Sequence, residues 1–252
     1  MFKVFSFILC LALLADCSSS EENLTSETSI MKLPKIIGSK SEVTKPLTKK
    51  KFTFFDSKIL SISDRSTDSI TIPLEPNSYY SEGIKKQMPL DRQLVELIID
   101  TSQILSFQIK TLPPPPELDS KQVTKEPEYF DHYPIYLFYN SSDSLSPLLI
   151  DGCLFMVQEA KDSTGLWRPL TYIESAFCGN SIWTGPSLNQ DNFLLSKATV
   201  YDGETPTKFR MRLKLDSTII YSNEYDGRIN QSQFFRPCQM IYSNEEIKAL
   251  GY

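Results

Sequence analysis

The 252-residue chain holds one histidine, His132, and nowhere do two cysteines stand two residues apart. Imidazole-based acid–base or nucleophilic catalysis therefore has a single possible base, and metal sites built on several imidazoles or on Cys-x-x-Cys pairs are excluded. Long apolar runs are missing too. Beyond the N-terminus, the most apolar windows, Leu148 to Val157 and Leu94 to Ile99, fall well short of the roughly 18–20 residues that cross a bilayer. Nor is there a basic excess: the net charge is -5, so no overall positive field draws the chain to nucleic acid, which is not an expected partner. No motif calls for a cofactor.

What is present begins at the N-terminus. Lys3 precedes an apolar run from Val4 to Ala15, followed by Leu14-Ala15-Asp16-Cys17 and the tail Ser18-Ser19-Ser20-Glu21-Glu22. A short apolar stretch behind a positive charge is a secretory signal, removed rather than kept as a span. Small and aliphatic residues before a cysteine follow the bacterial lipoprotein pattern, which predicts cleavage after residue 16 and a lipid on Cys17. The protein would then sit on the cell envelope, at the outer membrane, held by acyl chains that each contribute about 0.8 kcal/mol per buried methylene. Asp16 departs from the usual Gly, Ala or Ser, which leaves a freely secreted protein as the alternative.

Residues 17–50 are rich in Ser, Thr, Glu and Lys and poor in aromatics, a composition that predicts a flexible tether of roughly 30 Å average reach. Residues 51–110 read as a small β-rich or α+β region. Phe52-Thr53-Phe54, Lys58 to Ser63 and Ser69 to Leu74 look like strands, Leu90, Leu94, Leu97 and Ile98 recur at helical spacing, and Leu105, Phe107 and Ile109 alternate. The unbroken run Pro113 to Pro116 and the charged stretch after it mark 111–128 as a linker. Beyond it, candidate strands are Tyr133 to Tyr139, Pro147 to Ile150, Cys153 to Glu159, Leu166 to Ile173, Phe193 to Tyr201, Thr207 to Leu215 and Thr218 to Ser222. Turn signals fall at Asp162-Ser163-Thr164-Gly165, Asp202-Gly203 and Asp226-Gly227. Short strands at this pitch predict that 129–252 is an antiparallel β-sandwich of immunoglobulin-like kind, and Ser243-Asn244-Glu245-Glu246 is a capping box for a short C-terminal helix. The fold class expected is mainly β.

Candidate chemistry is sparse. His132 is expected at a surface or edge. Cys153, Cys178 and Cys238 are odd in number, so at most one disulfide forms among them. Ser29-Ile30-Met31-Lys32 and Gly179-Asn180-Ser181 match fragments of nucleophile motifs without their structural context. Glu174, Glu204, Glu224 and Asp226 could form a glycosidase-like pair, and Asn189, Asp191 and Asn192 offer oxygen ligands without an EF-hand's glycine and terminal Glu. The most specific signal is the strand Lys208 to Leu215. Phe209, Met211, Leu213 and Leu215 point one way while Lys208, Arg210, Arg212 and Lys214 form an outward basic stripe that could bind an anion. Three Asn-x-Ser/Thr matches, at Asn23, Asn140 and Asn230, carry meaning only in a glycosylating secretory pathway.

The stretches Met156 to Asp162, Gly165 to Leu170, Phe177-Cys178-Gly179, Thr207 to Leu213 and Tyr221 to Glu224, with Gly227, Ile229-Asn230 and Gln233-Phe234, resemble envelope lipoproteins of the Bacteroidota. The similarity spans about residues 130–235. It implies a location and a β domain, not a reaction. A non-catalytic module binding an envelope protein or glycan is expected, with a surface enzyme or enzyme inhibitor, or a structural subunit of an envelope complex, as alternatives.

Overall fold

The computed structural model describes residues 32–47, 59–72, 91–108, 129–150, 153–170, 182–215 and 218–234. Among them the strands are β1 (Lys35–Ile36), β2 (Ser61–Asp64), β3 (Ser69–Ile70), β4 (Val95–Ile99), β5 (Leu105–Gln108), β6 (Tyr129–Tyr139), β7 (Leu148–Ile150) and β8 (Cys153–Leu154). They continue with β9 (Met156–Lys161), β10 (Trp167–Pro169), β11 (Ile182–Thr184), β12 (Asn192–Thr199), β13 (Thr205–Leu215), β14 (Thr218–Tyr221) and β15 (Tyr225–Ile229). The protein is mainly β, and its large sheets are antiparallel.

The first sheet runs β2-β12-β6-β4, with β5 pairing the early part of β6; the second runs β10-β9-β13-β14, with β15 pairing the early part of β13. A smaller sheet, β11-β7-β8, and the parallel pair β1-β3 complete the pattern. One core cluster joins the two large sheets. Leu97, Ile135, Leu137, Leu194 and Ala198 come from the first, and Ala160, Phe209, Met211, Leu213 and Leu215 from the second. The alternation read from Lys208 to Leu215 thus has its physical cause: four apolar side chains of β13 fill the space between sheets.

Strand β6 is different, because it buries both faces. Ile135, Leu137 and Tyr139 join the core between the sheets, while Tyr136 and Phe138 join a second cluster with Ile36, Leu60, Ile70, Leu105, Phe193 and Leu195. A strand covered on both sides reads as a continuous apolar run, as Ile135 to Tyr139 does. What covers the outer side is the N-terminal part of the chain.

Several expectations change here. Residues 33–47, assigned to the tether, are packed: Ile36 and Leu47 are buried, Lys40 bridges Ile104, and Leu47 donates its N–H to Val200. Gln103 replaces a strand for this segment. Its Oε1 accepts from the Ile36 N–H at 2.6 Å and its Nε2 donates to the Pro34 carbonyl at 3.0 Å. The boundary expected at 111–128 does not separate two folding units either, because β2, β4 and β5 share a sheet with β6 and β12, and Leu33–Tyr252 forms one compact unit. The 111–128 linker itself, Phe52 to Phe54 and the C-terminal helix lie outside the described residues.

The helix expected around Leu90 to Ile98 reduces to a single 3₁₀ turn, Arg92–Leu94, capped by Asp91, before β4 begins. Val95, Leu97 and Ile99 are buried alternately and pair with β6. Period-two burial against a ready sheet edge wins over a weak helical spacing. Asp226-Gly227, expected in a turn, lies within β15, where a Cβ on residue 227 would stand 2.7 Å from the Phe209 ring. The glycine admits that ring. The hairpin at Asp162 to Gly165 is as expected, joining β9 to β10 with Gly165 at φ 81°.

Two polar devices hold the sheets to each other. Between them, Gln158 of β9 donates to the Thr199 carbonyl of β12 at 2.8 Å and to the Tyr225 hydroxyl at 2.7 Å, and burial pushes that phenol well above its ordinary pKa of 10. At one margin, Asn223 acts as a strand fragment for β4: its Oδ1 accepts from the Ile99 N–H at 2.7 Å and its Nδ2 donates to the Ile99 carbonyl at 3.1 Å. Replacing Asn223 with alanine removes both bonds and leaves two backbone groups without them, an expected loss of about 1–2 kcal/mol. Urea denaturation measures it; an unchanged midpoint would mean that water substitutes fully.

Candidate functional site

The basic stripe lies on the outer face of the second sheet, and neighbouring strands bring it partners. Across β13 and β9, Arg210 and Glu159 are directly opposed, and Glu159 is buried. Its Oε2 accepts from Arg210 Nε at 2.9 Å and Nη2 at 2.8 Å, while its Oε1 lies 2.9 Å from Arg212 Nε. One carboxylate therefore holds two guanidinium groups. Arg212 has a side-chain exposure of only 7%.

Aromatic rings complete the arrangement. The Arg210 guanidinium sits 4.1 Å from the centre of the Trp167 ring and 3.9 Å from that of Tyr221, so β10 and β14 supply the two walls of its slot. Each contact contributes about 0.5–1 kcal/mol at an exposed site and more where water is excluded. Lys161 lies over the same Trp167 ring at 4.8 Å and 3.6 Å from Glu224, and Lys208 pairs with Asp226 at 2.8 Å. The stripe expected to present four cations outward is thus a charge-matched surface: Lys208, Arg210 and Arg212 each face a carboxylate. Lys214 lies at the far end of β13 and is half-buried.

The other candidates fall elsewhere. His132, expected at the surface, is buried on β6, edge-on to Phe107 with ring centres 5.5 Å apart. Its Nδ1 is 3.0 Å from the Phe130 carbonyl, which can only accept, so Nδ1 carries the proton. Burial, then the nearby Lys197 ammonium, hold its pKa well below 6.5, against smaller upward pulls from the Phe130 carbonyl and Asp131. The unfolded ring binds a proton near pH 6.5 and the folded ring does not. The stability that the neutral ring contributes is therefore complete above pH 6.5 and is lost as pH falls toward the folded value. His132→Asn keeps a donor for Phe130 and should flatten a decline of up to about 1.4 kcal/mol per pH unit that sets in as pH falls below about 6.5. Equal pH profiles for the two proteins, followed by urea denaturation, would assign the decline to other groups.

Asn189, Asp191 and Asn192 spend their geometry on their own loop: Asn189 Oδ1 accepts from the Asp191 N–H and Asn192 Oδ1 from the Asn189 N–H, each at 3.0 Å. Of the suggested carboxylates, Glu224 and Asp226 are ion-paired and Glu204 is on an exposed loop. Cys153 is buried on β8. Cys17, Ser29, Glu174, Cys178, Gly179 to Ser181 and Cys238 lie outside the described residues.

Sequence reasoning missed two centres. Glu159 had a signal, a charge inside the buried run Met156 to Ala160, which demands a paired cation. Asp131 had none, because its partners come from remote parts of the chain. It is fully buried, and its Oδ2 accepts from the N–H groups of Thr44 at 2.7 Å and Lys45 at 2.8 Å, while its Oδ1 accepts from the Ser106 hydroxyl. Lys40 Nζ lies 4.0 Å away.

The chain matches no protein-family model, no curated protein and no solved structure. Among the described residues no helix is long and apolar enough to cross a membrane.

Proposed function

We propose that the protein is a lipid-anchored envelope protein of the kind it resembles in Bacteroidota, whose β domain serves as a non-catalytic binding module for an envelope protein or glycan. The anchor is the lipid on Cys17, and the folded unit begins at Leu33, sixteen residues further on. The immunoglobulin-like character of the sandwich belongs to the same reading.

The observation that carries binding over catalysis is the state of the titratable groups. The single imidazole is buried with its Nδ1 proton committed, and Glu159, Glu224 and Asp226 are engaged by cations. A general acid or base must reach substrate, and the imidazole of His132 and the carboxylate of Glu159 are both buried. The slot that fixes Arg210 between Trp167 and Tyr221 instead offers a rigid surface with low ordering cost on binding.

The anchor is tested by feeding a palmitate analogue to cells expressing wild type or Cys17→Ser. Labelling of the wild type alone is expected, and equal labelling of both overturns it. For the module, Tyr221→Ala should weaken binding to whatever envelope fraction retains the wild type, with thermal stability little changed. Undiminished retention removes that face as the binding surface.

A further inference from the structure

The N-terminal segment has an outer surface that the core does not explain. Ile36 points inward, and the residues on either side of it, Lys35 and Ile37, are exposed. Ser39 donates its N–H to the Ile36 carbonyl at 3.1 Å, and Gly38 has φ 84°, so residues 36–39 form a type II turn with Ile37 at its tip. Turn tips normally carry polar residues, yet Ile37 is 60% exposed.

Further along, Val43 and Tyr129 are 40% and 41% exposed. Lys45 Nζ lies 5.4 Å from the centre of the Tyr129 ring, and Lys40 Nζ, near Ser106 and Thr44, belongs to the same neighbourhood through Asp131. Asp131 holds Thr44 and Lys45 by their backbones, so this surface is pinned rather than draped. Between residues 33 and 47 there are three lysines and one carboxylate, Glu42, on a chain whose net charge is -5.

Exposed Ile, Val and Tyr among lysines is the chemistry of a surface that meets anionic headgroups, with apolar side chains entering the interface and ammonium groups staying at the phosphates. We infer that this surface, formed by Lys35, Ile37, Lys40, Val43, Lys45 and Tyr129, docks against an anionic lipid membrane. The occupant follows from charge complementarity and from the order of the chain, since Ile37 lies twenty residues after Cys17. The inference rests on the anchor reading for its location, but its chemistry does not need the acyl chains. Bound this way, the domain lies on the membrane instead of standing clear of it.

The test separates the two. The mature chain carrying Cys17→Ser, and hence no lipid, is mixed with vesicles of phosphatidylcholine alone or with phosphatidylglycerol added. Co-sedimentation with the anionic vesicles only, weakening as salt rises, is expected. At about 1 kcal/mol per lysine, the double variant Lys35→Gln, Lys45→Gln should bind about 30-fold more weakly. Ile37→Trp, a change at an exposed tip, should bind at least as well and shift its emission to the blue on anionic vesicles alone. No binding to anionic vesicles, or equal binding by the lysine variant, overturns the inference. Failure of the palmitate labelling with vesicle binding intact removes the anchor and leaves the surface standing.

Discussion

Replacing Glu159 with alanine is expected to destabilise the protein by about 3–5 kcal/mol, a large share of the stability of a domain this size. The reason lies in the burial of its partners. Arg212 is almost wholly buried and Arg210 nearly so, and both take their countercharge from this one carboxylate. Without it, both guanidinium groups lose a close carboxylate while staying in a low-dielectric place. Urea denaturation at neutral pH measures the cost. A companion variant removes charge from both sides: Glu159→Leu with Arg212→Met should recover much of the loss, because an apolar pair of similar volume avoids desolvation altogether. A loss below about 1 kcal/mol for Glu159→Ala would mean that water reaches this face and that the slot around Arg210 is not preorganised.

Asp131→Ala should cost about 3 kcal/mol and, more tellingly, should free residues 40–47 before the rest of the fold. Its carboxylate satisfies two backbone N–H groups and a hydroxyl, while its own backbone bonds Lys45 and Val200. Hydrogen exchange at Thr44 and Lys45 should rise by at least ten-fold while amides of β6 and β12 stay protected. Uniform loss of protection would make Asp131 a general core residue rather than the clamp of this segment. Acid should act in the same direction. Burial pushes the Asp131 carboxyl up, but the bonds from Ser106, Lys45 and Thr44 and the charge of Lys40 together outweigh it and hold it below 3.8. A carboxyl lowered on folding stabilises above its unfolded pKa, near 3.8, and loses that contribution as pH falls through the folded value. Release of the segment by acid therefore belongs below about pH 4, separate from the decline that His132 causes from pH 6.5 downward.

The parts of the fold legible beforehand were those with a strong local pattern. The alternation of Lys208 to Leu215 located β13 and its inward face, and Asp162 to Gly165 located a hairpin. The apolar run Ile135 to Tyr139 fits a strand covered on both sides, but the sequence could not show what covers it, because the cover comes from Ile36, Leu60 and Ile70, far away in the chain. Ser, Thr and Lys around residues 33–47 carry a tether's composition, and only Gln103, Asp131 and Gln233, donating and accepting from a distance, turn them into structure. The same holds for the basic stripe. Four cations on one strand face are plain in the sequence, but a countercharge on an adjacent strand depends on register: Arg210 opposite Glu159 and Lys208 opposite Asp226 are pairings that a one-residue slip would destroy.

By itself, then, the sequence determined the β character, the inward face of β13 and the expectation of a lipid at Cys17, since each rests on residues adjacent in the chain. Tertiary structure alone decided that residues 33–47 are folded, that His132 is buried and neutral, and that Arg210 is fixed between Trp167 and Tyr221. Burial and ion pairing are properties of neighbours in space, and strand pairing chooses those neighbours from parts of the chain that no local pattern connects.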